Sequence, residues 1–412
     1  MSRLSESPSS EQKGSPLEVF RAALKLGLTS FGGPIAHLGY YHEEYVVRRK
    51  WMDDQSYADA VAFASSLPGA ASSKVGIIVG THRAGLSGGL AAWLGFTTPS
   101  ALILIAFGLS VNYLSSNITN ASWLHGLQIA AVAIVFQAVL GMGKRLVPDV
   151  KRAVIAGGAT IAAIVLVQFA WAQVLIIVVS GVVGYVFLRN IQMPTGRASI
   201  AANIPRWLAI SSLVIFFGLL GIIPVLEHFF PANHLLSVFY AFYSSGSLVF
   251  GGGHVVLPLL RAQVVAPGWV SSSQFLAGYG LTQAMPGPIF TFSAYLGTVL
   301  NISPNGIGGG LFSLIAIFLP SFFLVYGPLP FWNSFRSKRS FQSALAGVNA
   351  GVVGILLAAL YNPIFTTAVT SVSDFALAVG LIIVLMVLKR PPWNIVLIAA
   401  FGGLVLGFFG MI

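Results

Sequence analysis

Cysteine is absent from this 412-residue sequence, so disulfides, thiol nucleophiles and thiolate metal sites are excluded. Charge is scarce too: charged residues make up 8% of the chain against 56% hydrophobic ones, and mean hydropathy is +0.85. A soluble globular chain does not carry so little charge. The strand-like alternation of a β-barrel is missing. The 7 histidines and the few carboxylates are scattered without the spacing that metal ligands need, so neither a metal nor another cofactor is expected. The central part of the chain also lacks a nucleophile with a base, or a carboxylate pair, which counts against a membrane-embedded enzyme.

What the chain has is apolar runs of about 20 residues, each long enough to cross a bilayer as a helix. The net charge of +11 then reads as the positive-inside bias of membrane loops and not as a nucleic-acid surface. The expected class is an all-α polytopic membrane protein with the lipid bilayer as obligatory partner; a homodimer is compatible with it. Residues 1–16 are polar and Ser-rich and read as a loose cytoplasmic tail, not a signal peptide.

The stretch Leu28-Thr29-Ser30-Phe31-Gly32-Gly33-Pro34 organises the rest, because it returns as Ser247-Leu248-Val249-Phe250-Gly251-Gly252-Gly253. Phe20, Gly27, Phe31, Gly32 and Gly33 match Phe239, Gly246, Phe250, Gly251 and Gly252 at a fixed offset of 219 residues. Trp51, Pro68 and Gly69 match Trp269, Pro286 and Gly287, and Pro99 matches Pro320. The chain divides into a repeat at 17–190, a linker with one extra span at 191–234, and a second repeat at 235–412. Basic loops at Lys144-Arg145, Arg189–Arg206, Arg336–Arg339 and Lys389-Arg390 set one face as cytoplasmic. Threading through them starts the first repeat inside and the second outside, so the expectation is two inverted-topology repeats with discontinuous helices, joined by one extra transmembrane helix. Each broken element is either a kinked crossing, giving about 13 spans, or a re-entrant hairpin, giving about nine spans. The hairpin option places Arg48-Arg49-Lys50 on the basic face, which the charge rule favours.

A helix that restarts inside a membrane exposes unpaired amides and the positive end of its dipole, which suits an anion. Helix packing through small residues is the plainer reading of the same glycines. The candidate anion site comprises Ser30, Phe31, Gly32, Gly33 and Pro34, then Pro68, Gly69, Ser72 and Lys74. The second repeat adds Phe250, Gly251, Gly252, Gly253, His254, Gln283, Pro286, Gly287 and Pro288. Lys74 reads as a counter-ion or as a snorkelling side chain. His37, His42, Glu43 and Glu44 read as a proton-coupling group, or as an interfacial cluster pairing with Arg48 and Arg49.

Phe31-Gly32-Gly33-Pro34, the His37 to Glu44 segment, Arg48-Arg49-Lys50-Trp51 and Pro286-Gly287-Pro288 resemble the chromate ion transporter family in its long, two-domain form. The resemblance runs from about residue 18 to the C-terminus. It implies a multi-pass protein of a bacterial or archaeal inner membrane that exports chromate on the proton gradient. The residues themselves fit a tetrahedral oxyanion, chromate with sulfate as a mimic, and a transporter or channel for another anion such as sulfate would share every feature. Ala70 stands where the family's first half usually reads Pro, and Gly253 stands where the first-half motif has Pro34.

Overall fold

The computed structural model describes residues 14–31, 33–113, 122–166, 172–188, 204–250, 253–335 and 338–409, and every regular element among them is helical. Residues 1–13 of the expected N-terminal tail, residues 191–203 of the linker, and Gly32, Gly251 and Gly252 lie outside the described residues. In chain order the first repeat holds α1 (Pro16–Thr29), α2 (Gly33–Tyr41), α3 (Asp54–Ser66), α4 (Ala71–Tyr113), α5 (Ser122–Leu146), α6 (Val150–Val165) and α7 (Ala172–Phe187). The inverting helix is α8 (Arg206–Phe229). The second repeat holds α9 (His234–Leu248), α10 (Val256–Val264), α11 (Ser272–Ala284), α12 (Phe292–Val299), α13 (Gly306–Tyr326), α14 (Arg339–Ala359), α15 (Val372–Met386) and α16 (Pro392–Phe408). Among the described residues, five helices are long and apolar enough to cross a bilayer. α6, α7, α15 and α16, of 15 to 17 residues, are the shorter apolar rods.

Local chemistry sets the element ends. Asp53 accepts a hydrogen bond from the Ser56 amide to open α3, and its repeat partner Ser271 accepts from Gln274 to open α11. α4 folds over at Ala84-Gly85, where Gly85 takes φ of +69°, so its first part is a half-helix and only its second part is a full span.

Ion pairs decide between kinked crossings and hairpins. Lys25 Nζ donates to Glu44 Oε2 at 2.8 Å although 19 residues separate them. In a continuous helix that separation would be about 28 Å, beyond the reach of both side chains, so the chain doubles back between α1 and α2. The second broken element closes the same way: the guanidinium of Arg83, at the end of its second half-helix, lies 5.6 Å from the ring of Trp51, which precedes α3. Arg83 also pairs with Glu18 at the start of α1 (3.3 Å). All these bases therefore meet on the basic face. In the second repeat Asn301, the counterpart of Arg83, donates its amide to the Trp269 carbonyl (3.1 Å). The backbone bond from Trp51 to Tyr45 (2.8 Å) is likewise reproduced from Val270 to Val264 (3.0 Å). Because α8 carries the chain from Arg206 to the opposite face, the second set of bases lies there. The repeats are inverted, and their broken elements are hairpins.

Small residues bring the layers together. α1 lies against the second part of α4, and α9 lies equivalently against α13. A Cβ on Gly27 would stand 2.7 Å from the Phe96 carbonyl oxygen, and one on its counterpart Gly246 would collide with the Ile317 carbonyl. Backbone-to-backbone approach of this kind is how helices bind each other in lipid, where no hydrophobic force separates tail from side chain.

Candidate functional site

The four helix breaks converge through two hydrogen bonds that mirror each other. Gly69, in the second break of the first repeat, donates its amide to the Val249 carbonyl in the first break of the second repeat (2.7 Å). Gly287, the counterpart of Gly69, donates to the Ser30 carbonyl, the counterpart of Val249 (3.0 Å). Each repeat thus closes the other's break. Gly69 and Gly287 share φ of +102°, a conformation open to glycine but costly for residues with a Cβ. Each glycine is cradled by the other repeat's span: Gly69 by Ser321 and Gly287 by Ser100. Gly33 faces Ile289, where the last half-helix pair of the second repeat begins.

Polar groups gather around this crossing in an uneven way. Lys74 has no exposed surface, so the snorkelling alternative does not hold. Its Nζ donates to the carbonyls of Leu67 (2.6 Å) and Pro68 (2.9 Å), the groups that α3 leaves unpaired where it ends. His37 is buried, with Nδ1 3.4 Å from Ser72 Oγ and its ring edge-on to Phe96. Buried Ser30 Oγ, His37 Nε2, Ser73 Oγ and Gln283 Nε2 have no hydrogen-bond partner among the described residues. Buried polar atoms are rarely left so, and a polar guest would satisfy them. Pro288 offers no side-chain cap to the half-helix after it, whose Thr291 amide bonds back to the Pro288 carbonyl (3.0 Å).

The second repeat supplies apolar residues where the first is polar. At the same offsets, Val249 stands for Ser30, Val256 for His37, Phe290 for Ser72 and Phe292 for Lys74. His254 instead bonds Tyr279, with Nδ1 2.7 Å from the hydroxyl. Phe31 packs against Trp393 of α16, ring centroids 6.2 Å apart.

Of the proton-coupling candidates, only His37 lies at the breaks. His42 pairs with Asp54 (2.6 Å) and Glu43 is exposed. Glu44 is buried within the interfacial cluster that the sequence offered as its alternative. It accepts from Lys25, from Arg48 (3.1 Å) and from Arg49 (2.8 Å). Burial alone would raise its carboxyl, but the hydrogen bonds and charges of Lys25 and Arg49 outweigh that and hold it at about 2.

Sequence reasoning missed Ser100 and Ser321, although each directly follows a proline of the matched pair Pro99 and Pro320. It also missed Lys25, and it missed the pairing of His125 Nε2 with the fully buried Asp374 at 2.8 Å.

The family model described as Chromate transporter matches residues 17–185 and again 236–404. The chain is similar to an uncharacterized transporter of Methanocaldococcus jannaschii, 28% identical over 87% of each chain. It is similar to a chromate transport protein of Pseudomonas aeruginosa, 27% identical over 82% of this chain and 79% of that one. An uncharacterized transporter of Bacillus subtilis is 28% identical, with 97% of its length matched by 42% of this chain. No solved structure matches.

Proposed function

This chain belongs to the chromate transporter family, and from that premise we propose that it exports chromate across a prokaryotic cytoplasmic membrane on the proton-motive force. The reading rests on one observation above the rest: the reciprocal Gly69–Val249 and Gly287–Ser30 bonds, which set four interrupted helices around buried, unpartnered donors. Dipole ends and fixed N–H groups of this kind favour a tetrahedral oxyanion by charge and shape. Sulfate shares both features and competes. Lys74 offsets the carbonyl oxygens at the Leu67-Pro68 break, which would otherwise repel an anion, and keeps one N–H for the substrate.

The basic face is cytoplasmic by the positive-inside rule. Outward movement of a doubly charged anion from a negative interior releases roughly 2.3 kcal/mol per charge per 100 mV, so the electrical part of the gradient already favours export. His37, an imidazole held at the breaks beside Ser72, is the group we assign to proton coupling.

Everted membrane vesicles energised with a respiratory substrate test this reading. Chromate uptake above that of control vesicles, abolished by an uncoupler and reduced by sulfate, is expected. Vesicles that accumulate no chromate, or that move it equally with and without a potential, overturn it.

A further inference from the structure

We infer that Lys25, Arg48 and Arg49 form a second, peripheral anion site at the cytoplasmic mouth, where a tetrahedral oxyanion dianion binds by displacing the Glu44 carboxylate. The inference rests on the oxyanion reading above and adds a place where the substrate is first gathered.

The charge balance of the cluster carries it. Three cations converge on one carboxylate, leaving two positive charges in excess, the complement of a dianion. The Glu44 side chain is 5% exposed, whereas those of Lys25 and Arg48 are 49% and 60% exposed. Two cations can therefore turn outward to a solute that the carboxylate cannot follow. Arg49 stays in place during the exchange, because its guanidinium also lies 5.1 Å from the Trp51 ring. A guanidinium binds a tetrahedral oxyanion through two parallel N–H groups, so Arg48 and Arg49 supply shape as well as charge.

The cluster belongs to one face only. At the repeat offsets Lys25 becomes Ser244, Glu44 becomes Gln263, Arg48 becomes Pro267 and Arg49 becomes Gly268. Ion pairing that merely braced a hairpin would be as useful in the other repeat, yet there the same backbone bond, Val270 to Val264 as Trp51 to Tyr45, closes the hairpin without it. The segment His42–Arg48, which carries Glu44, is wound as a π-helix, a form that recurs where a helix serves a site. The exchange makes and breaks no covalent bond: Glu44 loses its partners as the oxyanion gains them.

Isothermal titration with sodium sulfate, on the full chain in phosphatidylcholine nanodiscs, tests the site. Lys74→Met removes the central cation so that the peripheral site is read alone. This variant is expected to bind one sulfate. Adding Glu44→Gln removes the competing carboxylate and tightens binding about tenfold, and adding the exposed Arg48→Ala instead weakens it about tenfold. Equal affinities in the three proteins, or no binding in any, overturn the site. Nanodiscs containing anionic lipid are the control for headgroup phosphate, and loss of sulfate binding there assigns the cluster to lipid and overturns the proposal. Chromate flux is read separately, with the unmodified protein in vesicles: flux there without sulfate binding to the Lys74→Met protein removes only this site, and sulfate binding without flux by the unmodified protein removes the transport reading.

Discussion

Lys74 is wholly buried, and its two carbonyl partners satisfy an amine that has no water to bind. Its removal strands the Leu67 and Pro68 oxygens and takes a donor from the site. Lys74→Ala is expected to cut chromate uptake by everted vesicles at least tenfold while leaving membrane insertion intact, and unchanged uptake would dismiss Lys74 from the site. Glu44 behaves differently, because its carboxyl, at about 2, lies below an ordinary Glu near 4.3. Its stabilising effect is fully present above that ordinary value and is lost as pH falls through about 2. At pH 7 the Glu44→Gln protein should be less stable than the wild type by about 1–3 kcal/mol. That gap should close as acid approaches pH 2, and thermal unfolding in detergent at several pH values measures it. The roles of these two residues were unevenly legible. Lys74 stands out as a charge in an apolar run, but its two carbonyl partners follow from the Pro68-Gly69 turn. The partnership of Lys25 with Glu44 depends on a chain reversal that periodicity does not encode.

Among the elements, the broken helices were the legible part, since adjacent glycines and prolines interrupt apolar runs in both halves at nearly constant offset. Which break meets which was not legible, because hydrogen bonds between Gly69 and Val249, or Gly287 and Ser30, join residues far apart in sequence and use main-chain atoms that every residue has. The unfavourable φ at Gly287 and the nearness of Ser100 Oγ to its Cβ position give a direct prediction. Gly287→Ala is expected to destabilise the crossing by about 1–2 kcal/mol and to lower transport more than expression, as read by fluorescence size-exclusion chromatography beside vesicle flux. Gly246→Val should do the reverse: its side chain collides with the Ile317 backbone, so α9 separates from α13 and the folded fraction itself falls.

On the scale of the whole molecule, opposite orientation of the two repeats is the claim most open to measurement, and the lack of cysteine leaves a clean background for it. Single cysteines at Lys50 and Ser271, near the bases of corresponding hairpins, should be labelled by an impermeant maleimide from opposite sides. Intact cells should label Ser271→Cys alone, and everted vesicles Lys50→Cys alone. Labelling of both from one side would contradict the inverted arrangement.

The reciprocity of the two central amide bonds has a consequence for chains of half this length. A solitary repeat would keep a Gly69-like donor and a Ser30-like acceptor with nothing to meet them, deep in lipid where an unmet main-chain group is severely penalised. Such a short protein can satisfy both only by embracing a second molecule inserted upside down. Cutting the present chain between α7 and α8 should therefore yield fragments that are idle apart and restore flux when made together in one cell.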